Sequence, residues 1–260
     1  MISFVGAGPG AADLITIRGR DRLAAADVVI WASSLVPEEV LTHARADAVV
    51  HDSATMTLED VLGVYQAKPT ADIVRLHSGD PSIYGAIQEQ IDWCEANDRP
   101  YEIVPGVSSL AAAAAAVGRE LTIPKVSQSV VLTRLAGRTA ASMPDRESVR
   151  AFAAHGATMA VFLSAARPVE LQDELLAGYS PDTPAAVVVR ASWPDEQIVR
   201  TTVGGLADAV KATGTKTTVL VLVGPALAEG PVARSHLYSP DYAHKFRRRS
   251  AAGSTAGRPA

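Results

Sequence analysis

Leu76 to Gly85 reads LHSGDPSIYG. The apolar run Ile73–Leu76 in front of it reads as a buried strand, and Ser82 to Ala96 behind it has helical patterning, so the motif sits at a strand-to-helix turn. Two further turns share that context, VGAGPG at Val5–Gly10 and VPGVSS at Val104–Ser109. In a parallel α/β sheet all three open onto the carboxyl edge, where such sheets bind small molecules. Asp80 followed by Pro81 reads as a helix start: an N-cap carboxylate accepts bonds from orphan N–H groups, and proline suits the first helical position. Gly79 before them admits backbone conformations closed to other residues and lets a ligand approach the main chain.

Outward from this motif the chain alternates. Strands are expected at Ile2–Val5, Asp27–Trp31, Ala48–Val50, Ile73–Leu76 and Tyr101–Val104. Helices are expected at Leu14–Ala26, Pro37–Ala46, Leu58–Ala67, Ser82–Ala96 and the alanine-rich Val107–Val117. That alternation implies parallel pairing with right-handed crossovers, so residues 1–118 read as one α/β domain. Residues 119–124 read as a linker and 125–240 as a second α/β domain. There, strands at Gln128–Thr133, Thr158–Leu163, Ala185–Arg190, Gln197–Thr202 and Thr217–Val223 are interspersed with helices at Asp145–His155, Pro168–Ala177 and Leu206–Ala212. The short spacing between Arg190 and Gln197 implies a hairpin and hence a mixed sheet. Residues 241–260 turn basic, then small and polar, and are expected to be disordered.

Composition narrows the function classes. Of 260 residues, 48% are hydrophobic and 20% charged, a core-forming balance. The net charge is −4, but the tail carries five cations against Asp241, which leaves the preceding body near −8 and argues against a nucleic-acid surface. The single Cys94 excludes an internal disulfide and suits a reducing compartment as a core residue. No basic leader precedes the first strand and no apolar run approaches the roughly 20 residues of a membrane span. A soluble cytoplasmic protein is expected.

Gly6, Gly8 and Ala11 match the G-x-G-x-x-[G/A] dinucleotide fingerprint in form. Pro9 removes an N–H that should face a pyrophosphate, and the second strand ends in Trp31 where an acidic residue should meet the ribose. A nicotinamide oxidoreductase is therefore disfavoured. A Walker A lysine, zinc-type Cys/His spacing and a G-x-S-x-G elbow are all missing, so no metal site is expected. His77, beside the central motif, is the histidine to watch.

GAGPGAADLIT, LHSGDPSIYGAIQEQ and VPGVSSLAAAAA, in that order and followed by ELTIP, ATMAVFLS and TTVLVLVGPAL, resemble the tetrapyrrole methylases, the S-adenosylmethionine-dependent enzymes of cobalamin and sirohaem synthesis. SLVPEEV, HDSATMTLED and SQSVVLTRLAGRT look like one branch that methylates a ring carbon of a corrin precursor. The resemblance implies two α/β domains, the cofactor in the cleft between them, and a homodimer. Carried over position by position, it assigns to S-adenosylmethionine Pro9, Ser78, Gly79, Asp80, Ile83, Tyr84, Ser108 and Ser109, then Leu163, Ala191, Thr218 and Val219 in the second domain. Leu163 stands where relatives often carry methionine. Asp80 is expected both to cap its helix and to meet the cofactor. A tetrapyrrole bearing several carboxylates calls for arginine forks, and Arg18, Arg20, Arg119, Arg134 and Arg138 lie in or beside loops at the expected cleft. Asp13 and His77 are candidates for proton handling. The alternatives are another ring-carbon methylase of the same pathway or of sirohaem synthesis, acting at a different position or on a cobalt-bearing acceptor, and, behind it, a non-catalytic tetrapyrrole carrier.

Overall fold

A computed structural model describes residues 1–136, 141, 143–144, 146–232, 235–239 and 241–249. The first half builds a five-stranded parallel sheet from β1 (Ile2–Gly6), β2 (Val28–Trp31), β3 (Val49–Asp52), β4 (Ile73–His77) and β5 (Tyr101–Val104), in the order β3-β2-β4-β1-β5. Alternate residues of these strands feed two cores, as the two-residue repeat of a strand requires. Phe4, Ile30 and Ile73 bury against α2 (Leu58–Ala67) and α3 (Gln88–Ala96) through Val61, Tyr65, Ile91 and Cys94. Val5, Val29 and Leu76 bury on the other side with Leu23 of α1 (Ile17–Ala25). Each such fully buried aliphatic side chain stabilises by about 1.5–3 kcal/mol. The neighbours β1 and β4 thus send their following helices to opposite faces, the arrangement that opens a crevice at the carboxyl edge.

The second half forms a mixed sheet in the order β6-β7-β10-β8-β9, from β6 (Val130–Arg134), β7 (Thr158–Phe162), β8 (Pro184–Val189), β9 (Gln197–Thr202) and β10 (Val219–Val223). β6 and β7 are parallel; β10 pairs antiparallel with β7 and β8, and β8 with β9 form the expected hairpin. One face, with Met159, Val187 and Val221, buries α5 (Val149–Ala153), α6 (Pro168–Leu176) and α7 (Leu206–Ala212). The other face, with Ala160, Ala186, Val188 and Leu222, receives Ala113 and Val117 of the alanine-rich α4 (Ser109–Val117). Small side chains on both partners allow that helix to lie close to the sheet.

Several expected elements are shorter, for local reasons. α1 starts at Ile17 because Thr16 caps it, its side chain accepting the Gly19 N–H at 3.1 Å. Only a 3-10 segment, Glu38–His43, forms where a helix was expected at Pro37–Ala46. α5 starts after its own cap, Ser148, rather than at residue 145. The largest correction concerns Asp80–Pro81, which does not begin a helix. Tyr84 and Ala86 adopt φ +56° and +48°, conformations no α-helix contains, and α3 begins only at Gln88. At the start of the tail, Arg247 donates to the Ser239 and Tyr242 carbonyls at 3.1 Å each.

Candidate functional site

The carboxyl ends of β1, β4 and β5 are adjacent, and their loops meet main chain to main chain. Gly8 and Gly79 exchange backbone hydrogen bonds of 3.3 and 2.8 Å. Gly6 and Gly106 are in contact: a Cβ on Gly106 would fall 2.1 Å from the Gly79 carbonyl oxygen and 2.7 Å from Gly6 Cα. Asp80 locks the junction, its carboxylate accepting the Ser82 N–H and the Gly106 N–H at 2.8 Å each. The cap read from the sequence is therefore a tie between two loops. Ser108 caps α4 instead, accepting the Leu110 N–H at 3.2 Å.

Between these loops and the second sheet lies a cavity of about 290 Å³, close to the lower end of the range for small-molecule sites, about 300–1,000 Å³. From the first half, Pro9, Ser78, Gly79, Asp80, Ile83, Tyr84, Ser108 and Ser109 line it. From the second come Leu163, Ala191, Thr218 and Val219, so every residue assigned to the cofactor by resemblance is at this one place. Strained backbone concentrates there too. Tyr84, Leu163 and Thr218 have φ of +56°, +51° and +56°, and Ala191 is flanked by Arg190 at +48° and Ser192 at +68°. Non-glycine residues persist in such conformations where surrounding structure over-determines them, commonly at ligand sites. Leu163 leaves 69% of its surface exposed, an apolar group held out at the cavity rather than folded into the core. Tyr84 packs against Phe162, ring centres 5.2 Å apart and planes tilted by 58°. Burial raises the Tyr84 phenol pKa, with Arg134 opposing the shift and Glu147 adding to it, so the hydroxyl stays protonated.

The proposed ionic residues are scattered. Arg134 ends β6 beside Phe162, close enough to influence Tyr84, and is the one predicted arginine the structure brings near the cavity. Arg20 pairs with Asp21 at 2.8 Å, and Arg119 donates to the Ala226 carbonyl at 3.0 Å; neither lines the cavity. Arg18 lies exposed on α1 near Glu102, away from the cavity lining, and Arg138 falls outside the described residues. Asp13 is exposed on the single turn Ala12–Leu14 and does not line the cavity. His77 does not line it either. Its ring sits 6.2 Å from Phe4 in the core, and burial, with Arg75 adding to it, pushes its pKa down to about 3, so it is neutral at physiological pH.

Sequence reading missed Lys216, an exposed cation in the cavity lining, together with Leu35, Phe162, Ser164, Ala165 and Val188. The run GTKTTV just before the last strand is the signal that could have pointed to Lys216. Among the described residues no three His, Cys, Asp or Glu side chains converge as metal ligands, and no helix is long and apolar enough to cross a membrane.

A parallel sheet and a mixed sheet that share one cavity, with the glycine loops of the first on one side of it, define a two-sheet α/β protein. Residues 1–207 match the family model described as Tetrapyrrole (Corrin/Porphyrin) Methylases. The chain is 45% identical, over 95% of its length and 98% of the relative's, to a precorrin-4 C(11)-methyltransferase from Sinorhizobium sp. It is 46% identical, over 95% and 96%, to a cobalt-precorrin-4 C(11)-methyltransferase from Methanocaldococcus jannaschii. Among solved structures, a cobalt precorrin-4 methyltransferase superposes with a TM-score of 0.84 at 43% identity, covering 88% of this chain and 96% of that one. The uroporphyrin-III C-methyl transferase of Thermus thermophilus complexed with S-adenyl homocysteine gives 0.72 at 28%, covering 87% and 98%. The chain belongs to the tetrapyrrole methylases.

Proposed function

We propose that the chain is an S-adenosylmethionine-dependent C-methyltransferase of cobalamin biosynthesis that converts precorrin-4 to precorrin-5 by methylating C11. The observation that carries this reading is the convergence, at one strained cavity, of Pro9, the Ser78–Asp80 loop and Ser108–Ser109 with Leu163, Ala191 and Thr218. The long matches to enzymes bearing that name support the choice of ring position.

The lining suits the cofactor. The half-buried serine turn Ser108–Ser109 offers hydrogen-bonding groups, and Pro9, Ile83, Leu163 and Val188 offer apolar walls, which a nucleoside carrying a sulfur-bearing chain requires. The cofactor supplies an activated sulfonium methyl, and the transfer makes a carbon–carbon bond at the ring as the sulfur–methyl bond breaks. What the protein contributes is alignment. Holding donor and acceptor in line at near contact can lower the barrier by several kcal/mol, and it needs rigid loops more than charged side chains. The glycine junction and the Asp80 tie provide that rigidity. Lys216 in the lining and Arg134 beside Tyr84 are the cations placed to receive acceptor carboxylates. Pro9 and the terminal Trp31 of β2 still speak against a nicotinamide cofactor.

We assign residues 1–118 and 125–240 as the two domains, joined by 119–124, working as a homodimer in the cytoplasm. Relatives named for the metal-free and for the cobalt-bearing acceptor match equally well, so cobalt precorrin-4 is the alternative substrate. The test is turnover of methyl-labelled S-adenosylmethionine with each acceptor, the product read by mass and NMR. Label at C11 is expected. Transfer to another ring carbon refutes the positional assignment, and pigment binding without transfer makes the protein a carrier. Light scattering on the purified chain reads the oligomeric state.

A further inference from the structure

The loop joining β8 to β9 reaches across to the glycine loop of the first sheet. The indole N–H of Trp193 donates to the Pro9 carbonyl at 3.0 Å, and the Ser192 hydroxyl accepts the Ala11 N–H at 3.0 Å. Between these two bonds the Cδ1–Nε1 edge of the indole lies against Gly10: a Cβ there would come within 2.1 Å of Trp193 Cδ1 and 2.5 Å of its Nε1. The residue at 10 must therefore lack a side chain for the contact to form.

The loop is braced to present that indole. Arg190 pairs with Asp195 and sets its guanidinium 5.7 Å from the Trp193 ring centre, where a cation is attracted to an aromatic face. Ser192 N–H donates to the Glu196 carboxylate at 2.6 Å, and Trp193 N–H to the Arg190 carbonyl at 2.9 Å. Left-handed backbone at Arg190 and Ser192 turns Ala191 into the cavity while it turns Trp193 onto the facing loop. Pro9 and Ala191 are both cavity-lining residues; Pro9 is itself one end of this contact, and Ala191 adjoins Ser192 at the other.

We propose that Trp193 is a positioning residue for the cofactor: by clamping Pro9–Gly10 to the second sheet it sets the separation of the Pro9 and Ala191 walls of the cavity. The inference rests on the methyltransferase reading. Its physical basis is that a 1 Å misplacement of a binding wall is enough to cost affinity, and that Trp193 bonds the cavity-lining Pro9 itself while the Ser192 hydroxyl holds only the following Ala11.

The test compares S-adenosylhomocysteine affinity by calorimetry with the thermal midpoint of the free protein, for wild type, Trp193→Phe, Trp193→Ala, Gly10→Ala and the double variant Gly10→Ala/Trp193→Ala. The expected outcome is a tenfold or greater loss of affinity for Trp193→Ala and for Gly10→Ala. Trp193→Phe, which keeps a ring on Gly10 but has no N–H for Pro9, should lose about threefold. The double variant should bind no worse than Trp193→Ala, because without the indole the new methyl has nothing to collide with. A folded Trp193→Ala that binds as wild type, or a double variant whose loss is the product of the two single losses, overturns the clamp. Wild-type protein that fails to bind overturns the parent reading and the clamp together.

Discussion

Replacing Gly106 by alanine should do more damage than replacing Gly79, although only Gly79 has a backbone conformation that demands glycine, φ +66°. At Gly106 the new Cβ would sit 2.1 Å from the Gly79 carbonyl oxygen, against ordinary contact from 3.4 Å, so the β4 loop must retreat by about 1.3 Å. Overpacking of this kind costs about 1–3 kcal/mol, and both neighbours are main chain that no rotamer change can relieve. The retreat also strains the 2.8 Å bond from Gly106 N–H to the Asp80 carboxylate, a charge-assisted bond worth about 1.5–3 kcal/mol. Together the loss is about 2.5–6 kcal/mol, or roughly 5–24 °C in the melting midpoint of a chain this size. Gly79→Ala meets nothing closer than 3.5 Å and pays only the left-handed penalty, about 1–2 kcal/mol. Thermal and chemical denaturation of the unliganded variants measures both, and calorimetry with S-adenosylhomocysteine should show Gly106→Ala losing at least tenfold in affinity. If Gly79→Ala proves the more damaging, or if Gly106→Ala melts and binds as wild type, main-chain contact is not what holds the three loops together.

Leu163→Gly should raise stability slightly, since it removes a φ of +51° from a side chain 69% exposed, while weakening cofactor binding severalfold; equal affinity in a calorimetric titration would take Leu163 out of the site. Gly63→Ala, in the exposed middle of α2 with open space around it, should stabilise by about 0.5–1 kcal/mol in a urea titration, and destabilisation would contradict that helix. His77 gives a pH signature. Its pKa is held near 3 in the folded state against 6.5 in the unfolded chain, so between these values the unfolded state binds more protons and stability falls as pH falls. At about 1.4 kcal/mol per unit, the step from pH 7.5 to 5.0 should cost wild type roughly 2 kcal/mol more than it costs His77→Leu; equal losses would refute a neutral buried imidazole.

Where local signal and tertiary demand agree, the elements were legible from the residue pattern alone. α2, capped by Thr57 and carrying Asp60 three residues on, runs over the residues its pattern marks, and so does the β8–β9 hairpin. The start of α3 was not legible because Asp-Pro after a strand looks the same whether the carboxylate caps a helix or crosses to Gly106. Charge was visible in the sequence but its partners were not. Arg119 spends its guanidinium on the Ala226 carbonyl 107 residues away, and nothing near it in the chain says so. Trp193 and Lys216 escaped for the same reason, since each acquires its position only when the second sheet is laid against the first. The glycine and serine turns, encoded within a few residues, marked the edge of the first sheet where the cavity opens, while the individual lining residues, those of the second half above all, came from the family resemblance.

The helix α4 roots its first turn, Ser108–Ser109, in the cavity wall while its buried flank, Ala113 and Val117, rides on the second sheet. Arg200 of β9 grips its far end, donating to the Val117 carbonyl at 2.6 Å. It behaves as a strut spanning both halves, so the molecule should melt as one cooperative block, and any force a ligand exerts on the serine turn is delivered along the rod to the opposite sheet. A bulky residue in place of Ala113 would act as a wedge, prising the halves apart at a distance from every ligand contact.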